Sequence, residues 1–282
     1  MPIILKPLIF RNILLLWGYI ALISYLISIV WVCVSIIKLK ESPELMKKTA
    51  AMSAAALALV LHGMAIYQLT YTVDGVNLGF YSALSLICWV IAFLLFFSSM
   101  IKPTDNLLYI FLPASALALA LDLIMPHTHV LPENLSVGLR LHILLSVTAY
   151  SLLAIAAVQA MLLAFHENQL RNKRPTKSIR LLPPMQVMEN LLIQFIVIGF
   201  FLLSLSLSTG LVFVEDIFAQ HLSHKVVFSI MAWLVFAIVL LGRWVWGWRG
   251  KKLIRLTLGG CALLLLAYFG SKLVLELILQ KV

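Results

Sequence analysis

Along the 282-residue chain the apolar positions do not alternate with polar ones. They run together in eight long stretches, at 13–36, 50–71, 78–100, 107–125, 138–165, 191–214, 225–243 and 253–275. A helix rises about 1.5 Å per residue, so roughly 20 apolar residues cross the hydrocarbon layer of a membrane. A membrane β-barrel would instead show segments of about ten residues with alternating polarity, and the sequence contains none. The pattern predicts an all-α, polytopic transmembrane helix bundle of about eight spans, forming a single transmembrane domain over residues 1–282.

The polar punctuation between the stretches predicts an orientation. If the spans alternate, loops 37–49, 101–106, 166–190 and 244–252 share one side, and with the flanking Arg243 and Arg255 they hold 15 of the 21 basic residues. Short loops rich in Lys and Arg stay in the cytoplasm, so both termini are expected outside. Lys6 and Arg11 precede an apolar run too long for a cleaved signal peptide and without a clear cleavage site, which reads as a retained first helix. The longest hydrophilic segment, 166–190, is basic, ends in Leu182-Pro183-Pro184, and separates five helices from three.

Composition adds a solvent to this pattern. Hydrophobic residues make up 63% of the chain, charged residues only 11%, and the mean hydropathy is +1.06. A soluble domain is usually under half apolar and about a quarter charged, so lipid is the expected surrounding and a bacterial inner (cytoplasmic) membrane the expected location. The net charge of +10 follows from the basic loops. Those loops are short, so no nucleic-acid partner is expected, and anionic lipid headgroups are the natural counterpart. The segment Gly242-Arg243-Trp244-Val245-Trp246-Gly247-Trp248-Arg249-Gly250 reads as an aromatic and basic belt that anchors the cytoplasmic interface. Cys33, Cys88 and Cys261 all lie in apolar stretches, with no CxxC and no CxxCH, so buried inert thiols are expected rather than dithiol chemistry or covalent haem attachment.

Ionisable groups within a membrane are costly and therefore informative. His62 lies mid-span, and Ala51, Ala55, Ala58, His62 and Ala65 share one helical face by their spacing of three and four. Such a stripe admits a close-packed helix or a flat cofactor, or seats a histidine that bonds across to a neighbour. His142 lies about one turn inside the fifth helix, with Ser146 and Tyr150 following on its face; the stripe lines a cavity or forms an interhelical hydrogen-bond seam. His127, His129, His221 and His224 are expected in outward loops, and His166 as a cap at the end of the fifth helix. Two imidazoles from different helices can ligate one haem iron axially, and His142 and His224 meet the depth requirement. Asp122, Glu215 and Asp216 are expected near the outward surface, and Lys272 and Glu276 as an i,i+4 pair. There is no phosphate loop, HExxH or GxSxG, and no enzymatic activity is expected.

Three stretches together resemble a known family: Leu141–Tyr150, Gly199–Gly210, and the run from His224-Lys225 through Ser229 and Ala232–Ala237 to Gly247–Gly250 and Ala267–Lys272. They are similar to the cytochrome c assembly family of membrane proteins, which includes the CcsA and CcmC haem-handling proteins, and within it to the HemX-like and YpjD-like inner-membrane branch. The resemblance implies a haem-related role on the outer face of the bundle, with haem as cofactor, His142 and His224 as the external axial ligands, and His62 as the first intramembrane histidine. Cytochrome c maturation proteins or other inner-membrane proteins are the implied partners. The chain departs from the family in two places. Val214–His221 carries no tryptophan where the best-known members have a tryptophan-rich segment, and Leu240 or Leu241 stands where a second intramembrane histidine is expected. These departures suit an alternative, a non-enzymatic scaffold that kept the fold and lost haem binding, as well as a less supported third reading as a transporter.

Overall fold

A computed structural model describes residues 5–37, 44–72, 75–77, 79–125, 130–131, 136–172, 182–213 and 220–270. It contains eight α-helices: α1 (Leu5–Ile37), α2 (Glu44–Thr70), α3 (Phe80–Ile101), α4 (Asp105–Ile124), α5 (Val137–Arg171), α6 (Met185–Phe213), α7 (Gln220–Trp246) and α8 (Lys251–Leu265). A π-helical turn, Leu266–Gly270, continues α8. Among the described residues, seven helices are long and apolar enough to cross a membrane, α1 through α7. The eighth expected span, 253–275, is described only as far as Gly270.

Several helices outrun their apolar stretches. α5 continues to Arg171 and α6 begins at Met185, directly after Pro183-Pro184, so the 166–190 segment is mostly helix at both ends. Hydropathy marks where lipid begins and ends, whereas backbone hydrogen bonding carries a helix past that boundary. His166 is consequently not a helix cap, because the C-cap of α5 is Asn172. Pro113 lies inside α4, which packed neighbours allow in membrane helices.

The connections after α2 and α4 contain strands that the sequence pattern did not predict. Tyr71–Thr72 (β1), Gly75–Asn77 (β2) and Val130–Leu131 (β3) form a three-stranded antiparallel sheet, with Tyr71 opposite Val76 and Val76 opposite Leu131. The turn-favouring pair Asp74-Gly75 was the available cue.

The chain divides into two compact units, Met1–Glu133 and Asn134–Val282. In the first, α1 packs against α2, α2 against α3, α3 against α4, and α4 closes on α1. The second repeats this ring with α5, α6, α7 and α8. The division is thus four helices and four, and it does not fall at the long basic segment. A hydrophilic connection between two helices does not keep them apart, and α5 and α6 approach closely where Gly199 faces Leu153; a Cβ on Gly199 would come within 2.8 Å of that side chain.

In the first unit the small-residue stripe is the buried face of α2: Ala51, Ala55, Ala58, His62 and Ala65 are all 4% exposed or less. Helix α1 lies against it, close enough for Ser28 Oγ to donate to the Ala51 carbonyl at 3.1 Å. On the other side, Trp89 of α3 donates its indole N–H to the Leu59 carbonyl at 2.8 Å. Cys88 and Cys261 are buried as expected, but Cys33 is exposed on α1. In a lipid-facing span an apolar position need not be an interior one.

Candidate functional site

Helix α5 starts after Ser136, whose hydroxyl accepts the Leu139 N–H at 3.2 Å, and carries His142 near its beginning. The imidazole reaches α6: Nδ1 lies 2.9 Å from the Ser206 carbonyl oxygen. A carbonyl only accepts, so Nδ1 carries the proton and Nε2 keeps its lone pair. Nε2 lies 3.5 Å from Ser146 Oγ, too long for a strong bond. The Ser146 hydroxyl instead donates to the His142 carbonyl at 2.7 Å, and the Ser206 hydroxyl meets Ser146 Oγ at 2.6 Å. Gly210 makes room for the ring, since a Cβ there would sit 2.9 Å from His142 Cε1. The α5 stripe is therefore a hydrogen-bond seam against α6 that holds one imidazole in one tautomer.

The seam continues toward α7 and α8. Tyr150 Oη lies 3.5 Å from Ser229 Oγ, and its ring is 5.8 Å from that of Tyr268. Trp233 of α7 donates to Ser204 Oγ at 2.8 Å and stacks on Phe200. These contacts also set directions. The start of α5 meets the end of α6, and the start of α6 meets the end of α7 through Glu189 and Arg243. Hence α5 and α7 run parallel, and their first turns lie at the same end of the unit. His142 is five residues beyond Val137 and His224 four beyond Gln220, about 7.5 Å and 6 Å along their helices. The His224 backbone is helical, while its side chain lies outside the described residues. So do His127, His129, Glu215, Asp216, Lys272, Glu276 and the side chain of His221.

His62 is completely buried and both its ring nitrogens are engaged. Nδ1 is 2.9 Å from Tyr25 Oη of α1, and Nε2 is 3.0 Å from Ser85 Oγ of α3. Two hydroxyls suit a neutral imidazole, one accepting from it and one donating to it. Ligation of iron by His62 would require one of these bonds to open. Asp122, expected near the surface, is 4% exposed and accepts from Ser82 at 2.8 Å. It lies two residues before α4 ends, near the helix end where it was expected, with its carboxylate turned onto α3.

Two features escaped the sequence pattern. His166 is buried, with Nδ1 3.5 Å from Met188 Sδ. Glu189, read as part of a loop, is a buried carboxylate that organises the α7–α8 turn. It accepts the Gly250 N–H at 2.9 Å, and lies 3.4 Å from Arg249 Nε and 3.9 Å from Arg243 Nη1. Arg243 also donates to the Trp248 carbonyl at 3.2 Å. Gly247 and Gly250 adopt positive φ, 62° and 56°, which glycine alone accepts without strain. The expected interfacial belt is thus a built turn; the cue was a lone acid at the edge of an apolar run facing two arginines downstream. Glu189→Ala leaves the Gly250 amide and the Arg249 guanidinium without their acceptor and Arg243 with the Trp248 carbonyl alone, a loss of about 1–3 kcal/mol for such groups. Trypsin cleavage after Arg249 and Lys251 in detergent is expected to speed up several-fold, and an unchanged rate would mean that the carboxylate does not hold the turn.

Among the described residues no three His, Cys, Asp or Glu side chains gather as a metal-ion site. A haem iron asks less of the protein, only axial ligands. The family model described as "Cytochrome C assembly protein" matches residues 50–279, from α2 through α8. The chain belongs to this family. It is similar to the "Inner membrane protein YpjD" of Escherichia coli (strain K12), with 31% identity over 264 residues covering 93% of this chain and 98% of that protein. The protein of the same name from Escherichia coli O157:H7 shows the same identity and coverage. An "Uncharacterized 28.8 kDa protein in nifR3-like 5'region" of Azospirillum brasilense is 34% identical over 141 residues, 49% of this chain and 52% of its own length. The family member described here is accordingly a multi-pass inner-membrane protein. Tyr25, which holds His62, lies before the matched region.

Proposed function

We propose that this protein binds haem at the His142 end of its second unit and assists cytochrome c biogenesis or haem homeostasis without catalysing a reaction of its own. One observation carries the reading. The Ser206 carbonyl fixes the proton on His142 Nδ1 and leaves Nε2 available. A backbone carbonyl behind one ring nitrogen is the usual way a protein orients a histidine whose other nitrogen binds a metal. His224, at matching depth on the parallel α7, supplies the second axial imidazole. Bound there, haem would be a cargo or redox group held by these residues, on the outward side that the basic loops predict. The client is a cytochrome c maturation component or another inner-membrane protein.

The test is the absorption spectrum of the full chain, purified in detergent from haem-replete cells. A Soret band near one haem per chain is expected, with His224→Ala shifting its position as one axial ligand is lost. No Soret band, or a band unchanged in His224→Ala, would remove the proposal.

A second reading has its own support. Tyr25 and Ser85 occupy both nitrogens of His62, and Leu240 or Leu241 stands where the family's second intramembrane histidine is expected. A scaffold that retained the bundle without haem would have its first-unit histidine satisfied by protein hydroxyls and an apolar side chain in place of a histidine in its second unit. It predicts a stoichiometric protein partner on crosslinking and no Soret band.

A further inference from the structure

The cations of the α7–α8 turn fall into two sets. Arg243 faces inward, its side chain 16% exposed, and is committed to Glu189 and the Trp248 carbonyl. Arg249 commits only Nε to Glu189; its side chain is 56% exposed and its two Nη groups have no partner among the described residues. Lys251, Lys252 and Arg255 are exposed, and among the described residues none pairs with a carboxylate. The Lys252 ammonium sits 3.8 Å from the centre of the Trp248 ring, and Trp248 stacks on Trp246. Trp244 and Trp246 are each 65% exposed, at the end of the span Lys225–Trp246.

Anchoring accounts for exposed tryptophans and for lysine stems lying along a membrane boundary. It does not account for a buried carboxylate, two positive-φ glycines and an internally braced arginine. An arginine that only faces water gains nothing from being oriented. An arginine that receives a phosphate gains bidentate geometry, because its paired N–H groups match two phosphate oxygens. The Gly250 amide is already taken by Glu189, so the side chains, not the backbone of the turn, are what a ligand would meet.

We propose that the α7–α8 turn is a binding site for the headgroup of an anionic phospholipid. The Arg249 Nη groups and the Lys252 ammonium take the phosphate, Lys251 and Arg255 add attraction, and Trp244 and Trp246 lie against the glycerol and upper acyl region. The exposed indoles at the end of a span favour a lipid over free phosphate, which has no apolar part to cover them. This site is separate from His142 and stands whether or not haem is bound.

The test uses the full chain in detergent, titrated with phosphatidylglycerol or with phosphatidylcholine of the same acyl chains, and read by native mass spectrometry. Tighter retention of phosphatidylglycerol is expected. Lys251→Gln/Lys252→Gln/Arg255→Gln spares every contact to Glu189 and should reduce that preference by about five-fold per cation. Removing the same charge from another basic segment of the sequence, in Lys173→Gln/Arg174→Gln/Lys177→Gln, should leave most of the preference intact. Equal retention of the two lipids by the wild type overturns the proposal, as does an equal fall in both triple variants, which would mean net charge alone. A preference abolished by millimolar inorganic phosphate would identify a free-phosphate site and also overturn it.

Discussion

Replacing His142 with alanine is expected to abolish haem binding while leaving the second unit folded. The imidazole is held by a single strong bond to the Ser206 carbonyl, so its loss costs little packing, and that carbonyl keeps the Thr209 hydroxyl as a donor at 2.9 Å. What it removes is Nε2, the one ring nitrogen of the described site without a strong partner. Loss of an outer-shell partner alone typically weakens a metal ligand's site by about 10–100-fold, so loss of the ligand itself should exceed the upper figure. The readout is the Soret absorbance per chain, measured beside the melting temperature in the same detergent. Gly210→Leu is a useful companion. It keeps the histidine but pushes a side chain into the space its ring occupies, and it should lower haem occupancy in the same direction. If His142→Ala retains a full Soret band, the ligand lies elsewhere.

His62→Ala is expected to do the reverse, lowering stability with little effect on haem at His142. Truncation leaves the Tyr25 and Ser85 hydroxyls facing a void in a fully buried place. Hydrogen bonds between membrane helices average well under 1–2 kcal/mol each, yet an orphaned buried polar group costs about 1–3 kcal/mol. Together these predict a loss of about 2–4 kcal/mol, seen as a fall of roughly 5–15 °C in melting temperature. Tyr25→Phe removes one partner and should cost less. The opposite pattern, haem lost and stability kept, would return His62 to the iron as its ligand.

The spans were legible because hydrocarbon imposes one simple rule, roughly 20 apolar residues in a row, and seven of the eight stretches map onto helices that meet it. The stripe Ala51, Ala55, Ala58, His62, Ala65 was legible for a related reason: helical spacing states which residues share a face without saying what covers it. What covers it, Tyr25 and Ser28 of α1 and Ser85 of α3, depends on ring closure between helices distant in sequence. No local pattern encodes that closure. Glu189 was illegible because its partners lie more than 50 residues away, and because hydropathy assigns a carboxylate beside an apolar run to a loop. His142 was placed correctly as a polar group on an interior face, but its tautomer could come only from the carbonyl of Ser206.

The Glu189 turn also makes the second unit mechanically uneven. At one end, α6, α7 and α8 are tied by a buried carboxylate to two guanidinium groups and a backbone amide. At the other end, α5 and α6 are joined by hydroxyls, one carbonyl and an imidazole. Charge-assisted bonds are roughly twice as strong as neutral ones, so the two ends of the unit are fastened unequally. On the haem proposal, the ligand is held at the more weakly fastened end, away from the aromatic and basic turn.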